Sequence, residues 1–380
     1  MDLINREIEH RVKESLSAPH QAVILYGPRQ AGKTTLINLI SGQLDQGQVI
    51  RFIGDDLAAQ QQLGRHELAT LSQLVSGKTL VIIDEAQRIP NIGLTIKLLV
   101  DNFPLTVLAS GSASFDLADK LNEPLTGRTK TFTLFPFSYG ELVESYRQVL
   151  PKTALEEMLR FGMYPKVYSF NSEAEKSDYL FEYINNYLYR DLLIMSGIKK
   201  PDKVVDLLRL LALQIGREVA VSELAQNLAI SALTVSRYLD VLEKMFVVVK
   251  LRGFSRNLRK EIAKTAKYYF FDIGLRNALL RSFNPLSLRD DAGALFENWV
   301  IMERMKLANN HRQPNNFYFW RTYDQQEIDL IEEGSSKLTA YECKWRSAEK
   351  AAGASATWRS AYPGADFKVI NSENFQSFLA

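Results

Sequence analysis

The chain has 380 residues, 46% of them hydrophobic and 24% charged, and a formal net charge of +2. That length exceeds what one core organises and implies two or three domains of ordinary globular composition. The balanced charge excludes a globally polycationic nucleic-acid binder, so any basic surface is local. One cysteine, Cys343, excludes internal disulfides and thiol clusters, and His10, His20, His66 and His311 are too scattered for a zinc site.

Residues 1–18 are polar and read as a helix ending before Pro19, without the apolar centre of a secretory leader. No apolar run approaches the roughly 20 residues of a membrane span, so the expected location is the cytoplasm, with no membrane partner. QAVILYG is a buried strand, followed by a glycine-rich loop and the helix KTTLINLIS. TLVIIDEA and LTVLASGS are two further apolar runs ending in small or acidic residues. Strands of this kind alternating with helices predict a parallel α/β sheet covered on both faces.

The loop GPRQAGKTT spans Gly27, Pro28, Arg29, Gln30, Ala31, Gly32, Lys33, Thr34 and Thr35 and fits G-x-x-x-x-G-K-[ST]. Glycines at both ends let successive N–H groups turn inward, and the following helix adds its positive end, which suits the phosphates of ATP. Lys33 is expected to reach the β- and γ-phosphates and the Thr34 hydroxyl to ligate Mg²⁺. At the end of LVIIDE, Asp84 supports the metal through water and Glu85 polarises the attacking water. Ser110, or Ser112, senses the γ-phosphate, with a plain turn as the alternative. Arg128, in PLTGR, follows a glycine and can extend toward a nucleotide as an arginine finger; a solvated loop arginine is the bland reading.

Together, ILYGPRQAGKTT, VIIDEAQRIP, ASGSAS, PLTGR and LFPFSYGEL resemble a prokaryotic AAA-type ATPase family whose members carry a C-terminal domain of unknown function. YLYRDL, YYFFDIGLRNAL, GALFENWV and EIDLI…YECK extend the likeness over nearly the whole chain. The resemblance implies an AAA-type P-loop fold and strengthens Arg128 as a finger. Acting in trans, that finger would need a homo-oligomer; in cis, a monomer suffices.

Residues 134–200 turn helical, EYINNYLYRDLLI most clearly. VAVSELAQNLAISALTVSRYLDVLEKM then reads as helix, turn, helix, with Ser222 and Ser231 as caps. FVVVKLR and KYYFFD would form a wing, giving a winged helix-turn-helix. Residues 250–267 hold seven Lys or Arg against one Glu. Lys250, Arg252, Arg256, Arg259, Lys260, Lys264 and Lys267, with Arg237 on the second helix, suit DNA backbone contact without sequence preference. Asp240 and Glu243 weigh against base reading, and a solvated hairpin or an acidic protein partner is the alternative.

In the last stretch, EIDLIEEGSSKLTAYECK places Asp329 ahead of Glu342 and Lys344. Side chains two apart on a strand share a face, so Glu342 and Lys344 point together. If EIDLI is the neighbouring strand, Asp329 lies beside Glu342, and Glu297 on the helix before completes the set. This order resembles the PD-(D/E)xK nuclease fold, which chelates Mg²⁺ between carboxylates; an ordinary charged strand face is the alternative. Four domains follow: 1–135 an AAA-type P-loop core, 136–200 a helical lid, 201–285 the winged segment and 286–380 the nuclease-like domain. The expected function is a Mg²⁺-dependent ATPase that binds DNA and couples nucleotide state to domain arrangement. A nucleotide-gated scaffold or signalling switch, and an ATP-dependent nuclease, are the alternatives.

Overall fold

The computed structural model describes residues 3–112, 127–146, 152–189, 192, 198, 200–254, 266–322, 324–346 and 354–379. The chain divides into two units, residues 2–136 with 244–246, and residues 137–243 with 247–380.

The first unit is built on five parallel strands: β1 (Gln21–Tyr26), β2 (Val49–Ile53), β3 (Leu80–Asp84), β4 (Thr106–Gly111) and β5 (Thr129–Thr133), in spatial order β2-β3-β4-β1-β5. Alternation along β1 sends Ala22, Ile24 and Tyr26 into one apolar cluster and Val23 and Leu25 into another. β3 and β4 divide their side chains the same way, so both faces of the sheet are covered. Each fully buried Val, Leu or Ile contributes roughly 1.5–3 kcal/mol of transfer free energy. The helices are α1 (Glu9–Ser15), α2 (Lys33–Gly42), α3 (Leu57–Leu63), α4 (Leu68–Leu74) and α5 (Ile92–Asn102). α1 is shorter than the helix expected over residues 1–18. Its N-cap, Ile8, offers no side-chain acceptor, and Arg6 ahead of it is committed to the glycine-rich loop.

The second unit opens with α6 (Tyr139–Tyr146), α7 (Lys152–Phe161) and α8 (Glu173–Glu182), the last closed by a Ser172–Glu175 capping box. Residues Tyr183–Leu188 continue it with π-helical bonding, where the sequence predicts regular helix. Then come α9 (Pro201–Leu213), β6 (Glu218–Val219), α10 (Val221–Leu228), α11 (Ala232–Lys244), β7 (Val248–Gly253), β8 (Ala266–Phe270) and α12 (Ile273–Leu279). α13 (Ala292–Asn310), β9 (Asn316–Arg321), β10 (Glu327–Glu333), β11 (Leu338–Lys344), α14 (Ala354–Ala361), β12 (Asp366–Asn371) and α15 (Gln376–Leu379) complete it. Ser231 caps α11 by accepting from Thr234 N at 3.1 Å. Ser222 caps nothing, because α10 starts one residue earlier, behind Ala220, which has no side-chain acceptor.

One seven-stranded sheet runs through this unit in the order β12-β11-β10-β9-β7-β8-β6. β9, β10 and β11 are antiparallel neighbours, β12 joins β11 in parallel, and β7 pairs with β9 through Arg252–Tyr318 and Gly253–Phe319. The expected boundary at 285/286 thus falls between strands of one sheet. Phe254, at the end of β7, packs with Trp320, Ile328 and Trp358, which ties the hairpin to the C-terminal core. Residues 137–163 are bound into the same unit by buried polar groups. Glu303 accepts from Tyr139 N at 2.6 Å and from Lys306 Nζ at 2.6 Å, while Asp272 accepts from Met163 N at 2.7 Å. Among the described residues no helix is long and apolar enough to cross a membrane.

Candidate functional site

β1 ends at Tyr26 and the chain turns at Gly27, where φ is +151° and an added Cβ would lie 2.2 Å from the carbonyl oxygen of Leu134. Only glycine fits there. Gly32, at φ +98°, ends the loop as the N-cap of α2. Lys33 is buried and donates to the carbonyl oxygens of Gly27 (2.9 Å) and Pro28 (2.8 Å). Burial pulls its pKa down to about 8, against the opposing pull of Glu85 and Asp84. Arg6, which sequence reading missed, clamps the loop from outside: one guanidinium nitrogen donates to Ala31 O at 2.7 Å and the other to Phe135 O at 2.5 Å. Nothing in the pattern of residues 1–18 marks Arg6 out, because its partner lies 25 residues away.

Asp84 closes β3 and is buried. Its carboxylate accepts from Thr34 Oγ1 at 2.8 Å, from Arg51 Nη2 at 3.2 Å and from Ser110 Oγ. β4 lies between β1 and β3, so Ser110 reaches both acids; its Oγ also accepts from Glu85 N at 3.3 Å. Glu85 itself is held at φ +52°, a left-handed conformation that non-glycine residues seldom adopt. Gln87 donates to its Oε2 at 2.6 Å and to Ser112 Oγ at 3.1 Å. Gly54 permits this turn, because a Cβ there would come 2.1 Å from Glu85 O. A hydroxyl and a carboxylate side by side, with a lysine on the adjoining loop, form a donor set that fits Mg²⁺ and phosphate. Arg51 and Gln87 were also missed: each is an ordinary polar residue until the fold places it beside Asp84 or Glu85.

Arg128 sits elsewhere. Its carbonyl accepts from Ala22 N at the start of β1, whereas the loop follows the end of that strand. At about 3.3 Å per strand residue, the two ends are separated by more than 15 Å. Its guanidinium pairs with Asp101 and is half exposed. The expectation that Arg128 could serve its own chain's loop is therefore corrected.

The C-terminal residues do converge. Beyond the pair Leu330–Tyr341, Asp329 and Glu342 fall next on β10 and β11, and the β9–β10 register shifts between Ile328 and Ile331. Asp329 accepts from Cys343 N at 2.7 Å, Lys344 donates to Glu342 at 2.7 Å, and Glu297 accepts from Tyr269 OH at 2.6 Å. Burial, then the charge of Asp329, raises Glu297 and Glu342 to about 7 each. Burial likewise raises Asp329, against Lys267. Lys267 corrects a second expectation. It is fully buried, hydrogen-bonded to Glu327 and 3.6 Å from Glu297, so it cannot meet a DNA phosphate. Both faces of β8 are buried, and Lys267 shares one of them with Tyr269, which also meets Glu297. Among the described residues no three His, Cys, Asp or Glu groups are placed to hold a metal.

Of the other basic residues, Arg237 and Arg252 are exposed and Lys250 is partly buried, its Nζ 6.0 Å from the centre of the Tyr268 ring. Arg256, Arg259, Lys260 and Lys264 lie outside the described residues.

Residues 19–143 match the family model of the AAA domain, and residues 152–286 and 292–377 match two domains of unknown function, DUF8612 and DUF4143. An uncharacterized protein of Mycobacterium tuberculosis (strain ATCC 25618 / H37Rv) is 32% identical over 351 residues, which cover 89% of this chain and 73% of that protein. An uncharacterized protein of Methanocaldococcus jannaschii is 23% identical over 359 residues, covering 90% and 77%. Among solved structures, the Walker-type ATPase PABY2304 of Pyrococcus abyssi aligns with a TM-score of 0.53 at 20% identity, covering 73% of this chain and 96% of that one. At that identity the likeness concerns the fold.

Proposed function

Since the chain belongs to the AAA-domain P-loop ATPase family represented by these relatives, we propose that it is a Mg²⁺-dependent ATP hydrolase. In this reading it engages DNA and couples its nucleotide state to the arrangement of its C-terminal segments. The observation that carries the hydrolase reading is the linked set Thr34–Asp84–Ser110–Glu85 beside the Lys33 loop. The backbone N–H groups of the loop from Gly27 to Thr35, Pro28 excepted, wrap the phosphates. Lys33 leaves the carbonyls of Gly27 and Pro28 and neutralises the β- and γ-phosphate oxygens. Thr34 would ligate the metal and Asp84 would support it through water, and the metal would offset charge on the transferring phosphoryl. Glu85 accepts the proton of the attacking water, and Ser110 keeps the two acids in register. The bond from the γ-phosphorus to its bridging oxygen breaks as the water oxygen bonds, with ADP leaving. Glu85→Gln is expected to bind ATP and turn it over poorly; hydrolysis at the wild-type rate would remove Glu85 from this role.

The DNA reading rests on α10 and α11 joined by a short turn and followed by the β7–β8 hairpin, which support a winged helix-turn-helix. Exposed Arg237 and Arg252, with the basic residues through Lys264, would meet phosphates without reading bases. The order α13-β9-β10-β11-α14-β12 supports the nuclease-like fold expected from the sequence. Arg128 lies at the opposite end of β1 from the loop, so a finger role for it would require a neighbouring copy, and a homo-oligomer enters the proposal on that condition. ATPase rate measured across single-stranded, double-stranded and branched DNA tests the coupling: stimulation is expected, reduced at higher salt. Exposed Asp240 beside Arg237 on α11 favours one other reading, a nucleotide-gated switch whose wing meets a protein. Binding of DNA that survives Arg256, Arg259 and Lys260 all changed to Glu, or no binding at all, would support that reading.

A further inference from the structure

In the second unit, three carboxylates, Glu297, Glu327 and Asp329, act on one cation, and a fourth, Glu342, adjoins Asp329. Glu297 comes from α13, Glu327 and Asp329 from β10, and Glu342 from β11. The cation is Lys267 of β8, whose exposure is 0%. Its ammonium donates to Glu327, lies 3.6 Å from Glu297 and sits 5.5 Å from the centre of the Phe319 ring. Burial alone would lower its pKa, but Glu297, Asp329 and Glu327 together outweigh burial, and the net shift is upward. The remaining contacts are local. Tyr269 donates to Glu297, Cys343 N to Asp329, Lys344 to Glu342, and Arg321 lies 3.8 Å from Glu327. Gly216 roofs the cluster, since a Cβ there would stand 3.3 Å from the Glu297 carboxylate.

We infer that the Lys267 ammonium is the resident cation of this cluster, filling the role a divalent metal plays in carboxylate–lysine nucleases, and that the C-terminal segment is consequently a non-cleaving module. Two facts carry this. The ammonium is enclosed among Glu297, Asp329 and Glu327, the first two of which belong to the metal-holding set expected from the sequence, and like charges repel at that range. Each of Glu297, Asp329 and Glu342 also has a fixed protein donor on at least one oxygen. The same contacts clamp β8, the return strand of the β7–β8 hairpin, to the C-terminal sheet. The inference does not rest on the ATPase reading. Glu342 Oε2 is buried without a hydrogen-bond partner and is where an added cation would go.

Terbium luminescence tests it, because all four tryptophans (Trp299, Trp320, Trp345 and Trp358) lie in this part of the chain and sensitise only an ion bound nearby. The full-length wild type is expected to show no saturable signal that Asp329→Asn removes. Lys267→Met is expected to gain such a signal and to lose it again when Glu297→Gln is added. A saturable wild-type signal abolished by Asp329→Asn overturns the inference, as does a folded Lys267→Met chain that gains nothing. Should Lys267→Met not fold, the wild-type arm decides alone. A parallel assay of DNA with Mn²⁺ is expected to show no cleavage that Glu342→Gln abolishes; cleavage of that kind overturns it equally.

Discussion

Two buried lysines in this protein have opposite fates. Lys33 is surrounded by backbone carbonyls, with carboxylates only at longer range, and burial wins, leaving its pKa near 8. Lys267 is surrounded by carboxylates, and they win over burial. Neutral carbonyls hold a lysine loosely enough to yield it to an incoming phosphate. Ionised acids hold it permanently. The first arrangement suits a binding site and the second a structural lock.

The contrast breaks most visibly at catalysis. Glu85→Gln is expected to lower ATP turnover about 10²–10⁴-fold while leaving nucleotide binding near wild type, as read by steady-state hydrolysis beside a fluorescent-nucleotide titration. Next in size is Lys267→Met, which strands acids in a buried cluster and is expected to cost about 3–5 kcal/mol in denaturant unfolding. Lys33→Met is the matched control, because it removes a poorly compensated buried charge. It should change stability by less than about 1 kcal/mol while weakening nucleotide binding about 10²-fold or more. Equal destabilisation by the two substitutions would erase the distinction.

Arg6→Ala comes third, at about 1.5–3 kcal/mol, since Ala31 and Phe135 lose a charged donor; thermal unfolding of the first unit reads it. The smallest effect is a proton. The folded pKa of Lys33 lies below the ordinary lysine value of 10.5, so the unfolded chain binds more protons between about pH 8 and 10.5. Stability from this group therefore rises with pH through that window. A triphosphate that favours the charged form should take up a fraction of a proton above pH 8. Calorimetry at pH 8.5 in buffers of different ionisation enthalpy should register that uptake, and Lys33→Met should lose it.

What the sequence made legible follows range. The loop from Gly27 to Thr35, the strand ending in Asp84 and the helix-turn-helix pattern are local, so period and spacing sufficed. The position of Ser110 was readable because β4 ends in small residues. Arg6, Arg51 and Gln87 act across strands or from a distant segment, and no spacing rule points to them. Lys267 shows the limit most clearly. Counted in a basic run, it looks like a phosphate contact; the fold buries both faces of its strand and sets it against acids far along the chain. Arg128 failed in cis for a related reason, since a loop before a parallel strand opens at the wrong edge of the sheet.

The most direct measurement is a calorimetric titration of ATP with Mg²⁺ into the folded wild-type chain and into Lys33→Met. One site per chain, present in the wild type and absent from Lys33→Met at the same concentrations, is the result this account predicts. No heat from the wild type, or equal binding by the substituted chain, would contradict it.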